Sequence, residues 1–127
     1  MTRELEAIKP RLDRLIERIV QEYRPLKIIL FGSYAYGQPH EGSDVDLLII
    51  KEDVAPATWQ RYVDVRRPVR DLMRETRIYI EPHVLTPDEL EQGLRQIKGF
   101  YREITEQGLV LYDEITERPA GTMAMAG

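Results

Sequence analysis

The chain contains no cysteine. Disulfides, thiolate metal sites and cysteine nucleophiles are thereby excluded, which suits an intracellular protein. No stretch approaches the ~20 apolar residues of a membrane span. The opening residues, Met1 to Pro10, are charged and lack the apolar run of a signal peptide. An excess of positive charge is missing as well: 18 Lys and Arg stand against 22 Asp and Glu, for a formal net charge of −4. That balance argues against indiscriminate nucleic-acid binding, although it leaves room for a local basic patch. A cytoplasmic protein without membrane contact is expected, with nucleic acid not the favoured partner.

What is present fits a globular domain. Of 127 residues, 43% are hydrophobic and 31% charged. A chain of this size buries roughly two-thirds of its unfolded surface and can build a core without staples. One domain is expected over residues 1–117, followed by a flexible tail over 118–127 (RPAGTMAMAG) that has no amphipathic period.

Periodicity sets the elements. Leu5, Ile8, Leu12, Leu15, Ile16 and Ile19 recur at spacings of three and four and predict an amphipathic helix ending near Tyr23, before Pro25. Pro10 either occupies the first turn of a helix that begins beside it or bends a longer one. Lys27 to Phe31 reads as a buried strand stopped by Gly32, and Asp44 to Ile50 as a second strand. Between them a short helical turn and a loop are expected. Ala57 to Arg74 reads as a long helix with Trp59, Tyr62, Val63, Val69, Leu72 and Met73 as its core stripe, bent or restarted at Pro68. Ile78 to Leu85 is a third strand, and Pro82 places it at an edge or a bulge. Thr86-Pro87-Asp88-Glu89 has the chemistry of a helix start: a capping hydroxyl, proline at the first position, then acids against the positive helix end. One or two helices run on to about Gln107, broken near Gly93 or Gly99, and Leu109 to Tyr112 forms a terminal strand. The order gives an α/β or α+β fold in which helices cover a small sheet.

Three features carry chemistry. Gly32-Ser33 follows a strand directly; glycine lets backbone approach a phosphate, and the serine adds a hydroxyl donor. The same pair also serves as an ordinary turn. Asp44 and Asp46 lie two apart at a strand start, so both carboxylates project to one face while Val45 faces the core. Two like charges side by side repel, and a divalent cation offsets that repulsion; hard oxygen ligands on a rigid strand suit Mg²⁺. The alternative is that both simply face solvent. Glu81 interrupts an otherwise apolar strand, either facing water at an edge or aimed at a site.

Ten residues separate Ser33 from Asp44, giving G-S-x10-D-x-D. With KIILFGSYAYG before the aspartates, DLLI after them, and the stretch from Glu81 through TPDEL to GLVLY, the chain resembles the minimal nucleotidyltransferases of the DNA polymerase beta superfamily over roughly Leu12 to Tyr112. The resemblance implies a small mixed sheet flanked by helices, the polymerase beta palm-like fold. It implies two Mg²⁺ ions, with Asp44 and Asp46 as ligands and Glu81 as the third carboxylate, and Gly32 and Ser33 as the nucleotide-binding turn. It also implies transfer of a nucleoside monophosphate, AMP from ATP, to a hydroxyl acceptor with release of pyrophosphate. Small members of the family are often paired, as antitoxins, with helical HEPN-domain proteins, so a HEPN-like partner is the natural acceptor. Two positions depart from the pattern: Glu81 stands where aspartate is usual, and Tyr36 where arginine is common. A binding module that neutralises or scaffolds a partner is the alternative, and a third reading is the catalytic half of a larger RNA- or small-molecule-modifying enzyme.

Other polar residues receive plainer readings. Arg61, Arg66, Arg67, Arg70, Arg74 and Arg77 are interleaved with Asp64, Asp71 and Glu75, which favours a solvated face with local ion pairs over a phosphate or RNA surface. His83 shares the face of Glu81 and either lines the site or is a hydrogen-bonded edge residue. Tyr34 and Tyr36 are assigned to packing rather than to base stacking.

Overall fold

The computed structural model describes residues 1–40, 42–96 and 99–114, without the side chain of Gln96. The expected tail over 118–127 lies outside the described residues.

Helix α1 (Arg3–Tyr23) runs the full length of the apolar stripe. The Thr2 side chain caps it by accepting from the Leu5 N–H at 3.1 Å, and Arg24, left-handed at φ 56°, ends it. Pro10 lies in the helix interior on the exposed side, so the carbonyl it leaves unbonded is on the face that water can reach. The helix therefore does not start at Pro10 but continues through it.

The chain then forms β1 (Lys27–Phe31), a single turn α2 (Ser33–Tyr36), β2 (Val45–Ile50), α3 (Thr58–Arg66), a 3-10 turn over Arg67–Val69, α4 (Arg70–Thr76), β3 (Ile80–Leu85), α5 (Pro87–Gln96), α6 (Phe100–Gln107) and β4 (Leu109–Asp113). Pro68 sits in the 3-10 turn and divides the expected long helix into two. The strands make one mixed sheet in the order β3-β2-β1-β4: β1 is antiparallel to β2 and β4, whereas β2 and β3 are parallel. Pro82 thus lies in an edge strand, where its missing N–H costs no ladder bond.

Alternation along the strands divides the hydrophobic residues between the two sheet faces. Ile28, Leu30, Val45, Leu47, Ile49, Ile80 and Val84 pack with Leu5, Leu12, Leu15, Ile16 and Ile19 of α1. Ile29, Phe31, Leu48 and Ile50 pack with Ile104 of α6 on the opposite face.

Helix α3 corrects one expectation. Trp59 is not a core residue; it is 67% exposed, and Tyr62 and Val63 are half-buried. The buried positions of α3 are Arg61 and Val65, one helical turn apart. Arg61 can occupy an interior position because every part of its guanidinium is used. Nε donates to the Ala55 carbonyl at 2.6 Å, Nη1 to the Val84 carbonyl at 3.1 Å, and Nη1 and Nη2 to the two Glu89 oxygens at 2.7 and 3.1 Å. Glu89 also completes a reciprocal cap with Thr86: its backbone N–H donates to Thr86 Oγ1 at 3.1 Å, and its carboxylate accepts from the Thr86 N–H at 2.8 Å.

Candidate active site

The four ends that matter meet on the α6 side of the sheet. Phe31, the last residue of β1, pairs with Asp46 in the antiparallel ladder, and Asp46 pairs with Glu81 in the parallel one. Gly32 therefore turns directly beside Asp46. Its φ of 75° is left-handed, and a Cβ built there would stand 2.2 Å from Asp46 Oδ2. Both facts require glycine: the conformation favours it, and the carboxylate fills the space a side chain would need.

Alternation puts Asp46, Glu81 and His83 on one face, with Val45, Ile80 and Pro82 turned to the core. Asp44 precedes β2 by one residue and is exposed, whereas Asp46 is half-buried. The Asp46 carboxyl is held above the usual aspartate range, first by burial and then by the negative charges of Glu81 and Asp44; His83 acts in the opposite direction. The three carboxylates thus act in one electrostatic field. Ser33 begins α2 right after Gly32, with Tyr34 buried beneath it and Tyr36 at the surface.

Glu81 is held by a residue the sequence reading assigned to the core. Tyr62 Oη of α3 donates to Glu81 Oε2 at 3.4 Å. His83 is exposed, with its ring edge-on to Phe31 at 5.4 Å and to Phe100 at 6.5 Å. Glu81 and His83 form one wall of an open groove of about 520 Å³; Trp59 and Tyr62 of α3 and Tyr101 of α6 form the other. Nothing in a linear reading pairs Tyr62 with Glu81, since a tyrosine between Arg61 and Val63 resembles any amphipathic helix position.

The donor chemistry fits a hard divalent cation: carboxylate oxygens that repel one another and are partly withdrawn from water. Among the described residues no three Asp, Glu, His or Cys side chains are gathered closely enough to enclose an ion. Mg²⁺ does not need such a cage, because it keeps several waters and binds through one or two carboxylates and substrate phosphates. Asp46 and Glu81, paired across the parallel ladder, are the carboxylates that would serve in this way.

Comparison with known proteins points the same way. The family described as "Nucleotidyltransferase domain" matches residues 12–115. A candidate protein adenylyltransferase of Methanocaldococcus jannaschii is 32% identical over 104 residues, covering 80% of this chain and 69% of the relative. Among solved structures, a candidate nucleotidyltransferase from Sulfolobus solfataricus superposes with a TM-score of 0.55 at 17% identity, covering 82% of this chain and 78% of the other. A toxin–antitoxin structure with AMP-PNP gives a TM-score of 0.51 at 17% identity, with coverages of 89% and 78%. At such identities the structural likenesses speak for the fold. Among the described residues no helix is long and apolar enough to cross a membrane.

Proposed function

The chain belongs to the nucleotidyltransferase domain family, and from that premise we propose that its single domain, residues 1–117, transfers AMP from ATP to a hydroxyl of a partner protein. The observation that carries the proposal is the seating of Asp46 over Gly32 and across from Glu81. It brings the Gly32-Ser33 turn and two carboxylates from neighbouring strands to one place. In the proposed reaction the acceptor oxygen attacks the α-phosphorus in line, a new O–P bond forms, and the bond to the β-phosphate oxygen breaks to release pyrophosphate.

Each residue has a part. Gly32, lacking a side chain, lets the Asp46 carboxylate lie against the turn, and the Ser33 hydroxyl donates to a phosphate oxygen. Asp44, Asp46 and Glu81 would hold two Mg²⁺ ions. Bound there, the ions would neutralise the phosphate oxygens and the charge of the leaving pyrophosphate. Glu81 accepts the proton of the attacking hydroxyl, and Tyr62 fixes the carboxylate for that task by hydrogen bonding to Oε2.

Two relatives support the choice of nucleotide and acceptor: one is described as a candidate protein adenylyltransferase, the other is a toxin–antitoxin structure with AMP-PNP. A HEPN-like helical protein in such a pair is the acceptor we propose. Incubation with labelled ATP, Mg²⁺ and candidate partners should label the partner with wild type and lose the label with Asp44→Ala or Asp46→Asn. No transfer by wild type, or equal transfer by Asp44→Ala, rejects the reading. One observation favours the alternative of a module that neutralises a partner by contact alone: no three-donor cluster stands among the described residues. In that case neutralisation survives both aspartate substitutions.

A further inference from the structure

The fold divides the arginine row of α3 and α4 in a way that its sequence conceals. Arg61 is consumed by Glu89, and Arg67 lies 3.5 Å from Asp64. The acids that would neutralise the rest turn to α1 instead: Asp71 meets Arg18 at 3.4 Å, and Glu75 meets Arg14 at 2.9 Å. Among the described residues Arg66, Arg70 and Arg74 are therefore left without a carboxylate partner.

These three arginines line one cleft of about 200 Å³ together with Tyr62 and Tyr79. The Arg66 guanidinium lies 4.9 Å from the Tyr62 ring centre and donates to Met73 Sδ at 3.7 Å. Its Nε is buried without a hydrogen-bond partner, so this arginine's hydrogen-bonding capacity is not used up within the fold. Arg74 and Tyr79 also wall a second cleft of about 740 Å³, which Arg11 and Arg77 share and which reaches Ser43, next to Asp44. The two clefts are neighbours that share Arg74 and Tyr79. They form a basic band from Tyr62, which holds Glu81, to the loop ahead of Asp44.

We propose that this band binds a single-stranded nucleic acid, with its phosphates on Arg66, Arg70 and Arg74 and a base against Tyr79. Guanidinium forks match phosphate oxygens, and aromatic rings interleaved with cations are the platform on which unpaired bases stack. Tyr79 is 45% exposed and available for that role. The patch sits within a chain of net charge −4, so binding is local, modest in affinity and steeply dependent on salt. An acidic peptide would satisfy the arginines but leave the tyrosines unused. This binding is separate from nucleotide transfer and does not rest on it.

The test is fluorescence anisotropy of the full chain with a labelled single-stranded oligoribonucleotide of about ten residues, within the usual site size, in the absence of ATP and Mg²⁺. Three neutralised phosphates give a slope of log affinity against log salt of about −2, and Arg70→Ala with Arg74→Ala should flatten it by about 1.4. The double variant should also bind at least about tenfold more weakly at the lowest salt, following the loss of two phosphate contacts. Both residues are exposed, so circular dichroism should show an intact fold. The proposal is overturned if wild type shows no saturable binding at low salt, or if the double variant binds as wild type does. Equal affinity for poly-glutamate of the same charge, or displacement by tripolyphosphate at matched phosphate concentration, also overturns it.

Discussion

Along β2, Val45, Leu47 and Ile49 point to one side of the sheet and Asp46, Leu48 and Ile50 to the other, yet the two sides are completed differently. Under α1 every one of these positions meets apolar side chains, and Leu47 and Ile49 are fully buried. On the α6 side the apolar cover stops short of the strand start, where Asp46 faces Glu81. One face maximises burial; the other gives up burial at one end to keep carboxylates together. The difference suggests that stability and chemistry are separable here, and substitutions on the two faces should behave oppositely.

The largest effect is expected on the closed face. Leu47→Ala should cost about 2–5 kcal/mol, the lost transfer energy plus an unfilled cavity, read from urea unfolding. A cost below about 1 kcal/mol would mean that the α1 face can collapse around the hole and is not the rigid side of the molecule.

Arg61→Ala should come next, at about 1–3 kcal/mol, because it strands the Ala55 and Val84 carbonyls as well as Glu89. The Glu89 side chain is 40% exposed, so solvent screens part of the ion-pair contribution. Glu89 titrates below the usual glutamate range, chiefly because of its hydrogen bond from Arg61. A depressed folded value means stabilisation that is present above the unfolded value and lost as pH falls through the folded one. Arg61→Ala should therefore flatten the acid-side decline of the urea midpoint, and an unchanged decline would remove Glu89 from the account.

Asp46→Asn should move stability the other way. With its folded value raised, Asp46 is least costly when protonated; stability falls as pH rises from the unfolded value through the folded one. At neutral pH the amide removes that cost, so the variant should melt at a higher temperature than wild type while losing transfer. Mg²⁺ should raise the melting temperature of wild type and leave the variant less affected, because ligand binding to the native state stabilises it. A lower melting temperature for Asp46→Asn would erase the contrast between the faces.

Much of this arrangement can be read from the chain, because it is written in local chemistry. Short apolar runs gave β1 and β2, the glycine after Phe31 marked the turn, and Thr86 with the acids after Pro87 marked a helix start. Pro82 pointed to an edge or a bulge, and β3 is an edge strand. The spacing of Ser33 from Asp44 carried the family resemblance that pointed to these residues, and the antiparallel pairing of β1 with β2 sets Asp46 beside Phe31. What stayed hidden depends on partners far along the chain. Arg61 was indistinguishable from its neighbours in a polar row, because Glu89 lies 28 residues away. The acids between those arginines looked like their counter-charges, and only the position of α1 shows that Asp71 and Glu75 serve Arg18 and Arg14.

Trp59 offers the smallest and most exacting test of the comparison. It sits two residues from Arg61, about 200° around the helix axis, so burying one exposes the other. Hydrophobicity alone would have put the tryptophan inward; the hydrogen bonds that Arg61 makes to Ala55, Val84 and Glu89 fix the opposite rotation. If that account is right, Trp59→Ala changes stability by no more than about 0.5 kcal/mol, as for an ordinary surface position, followed by circular dichroism because the variant lacks the chain's one tryptophan. A cost above about 1 kcal/mol would mean that the ring is covered in solution. Because Trp59 walls the groove beside Glu81 and His83, that result would close the open face and remove the distinction between the two sides of the sheet.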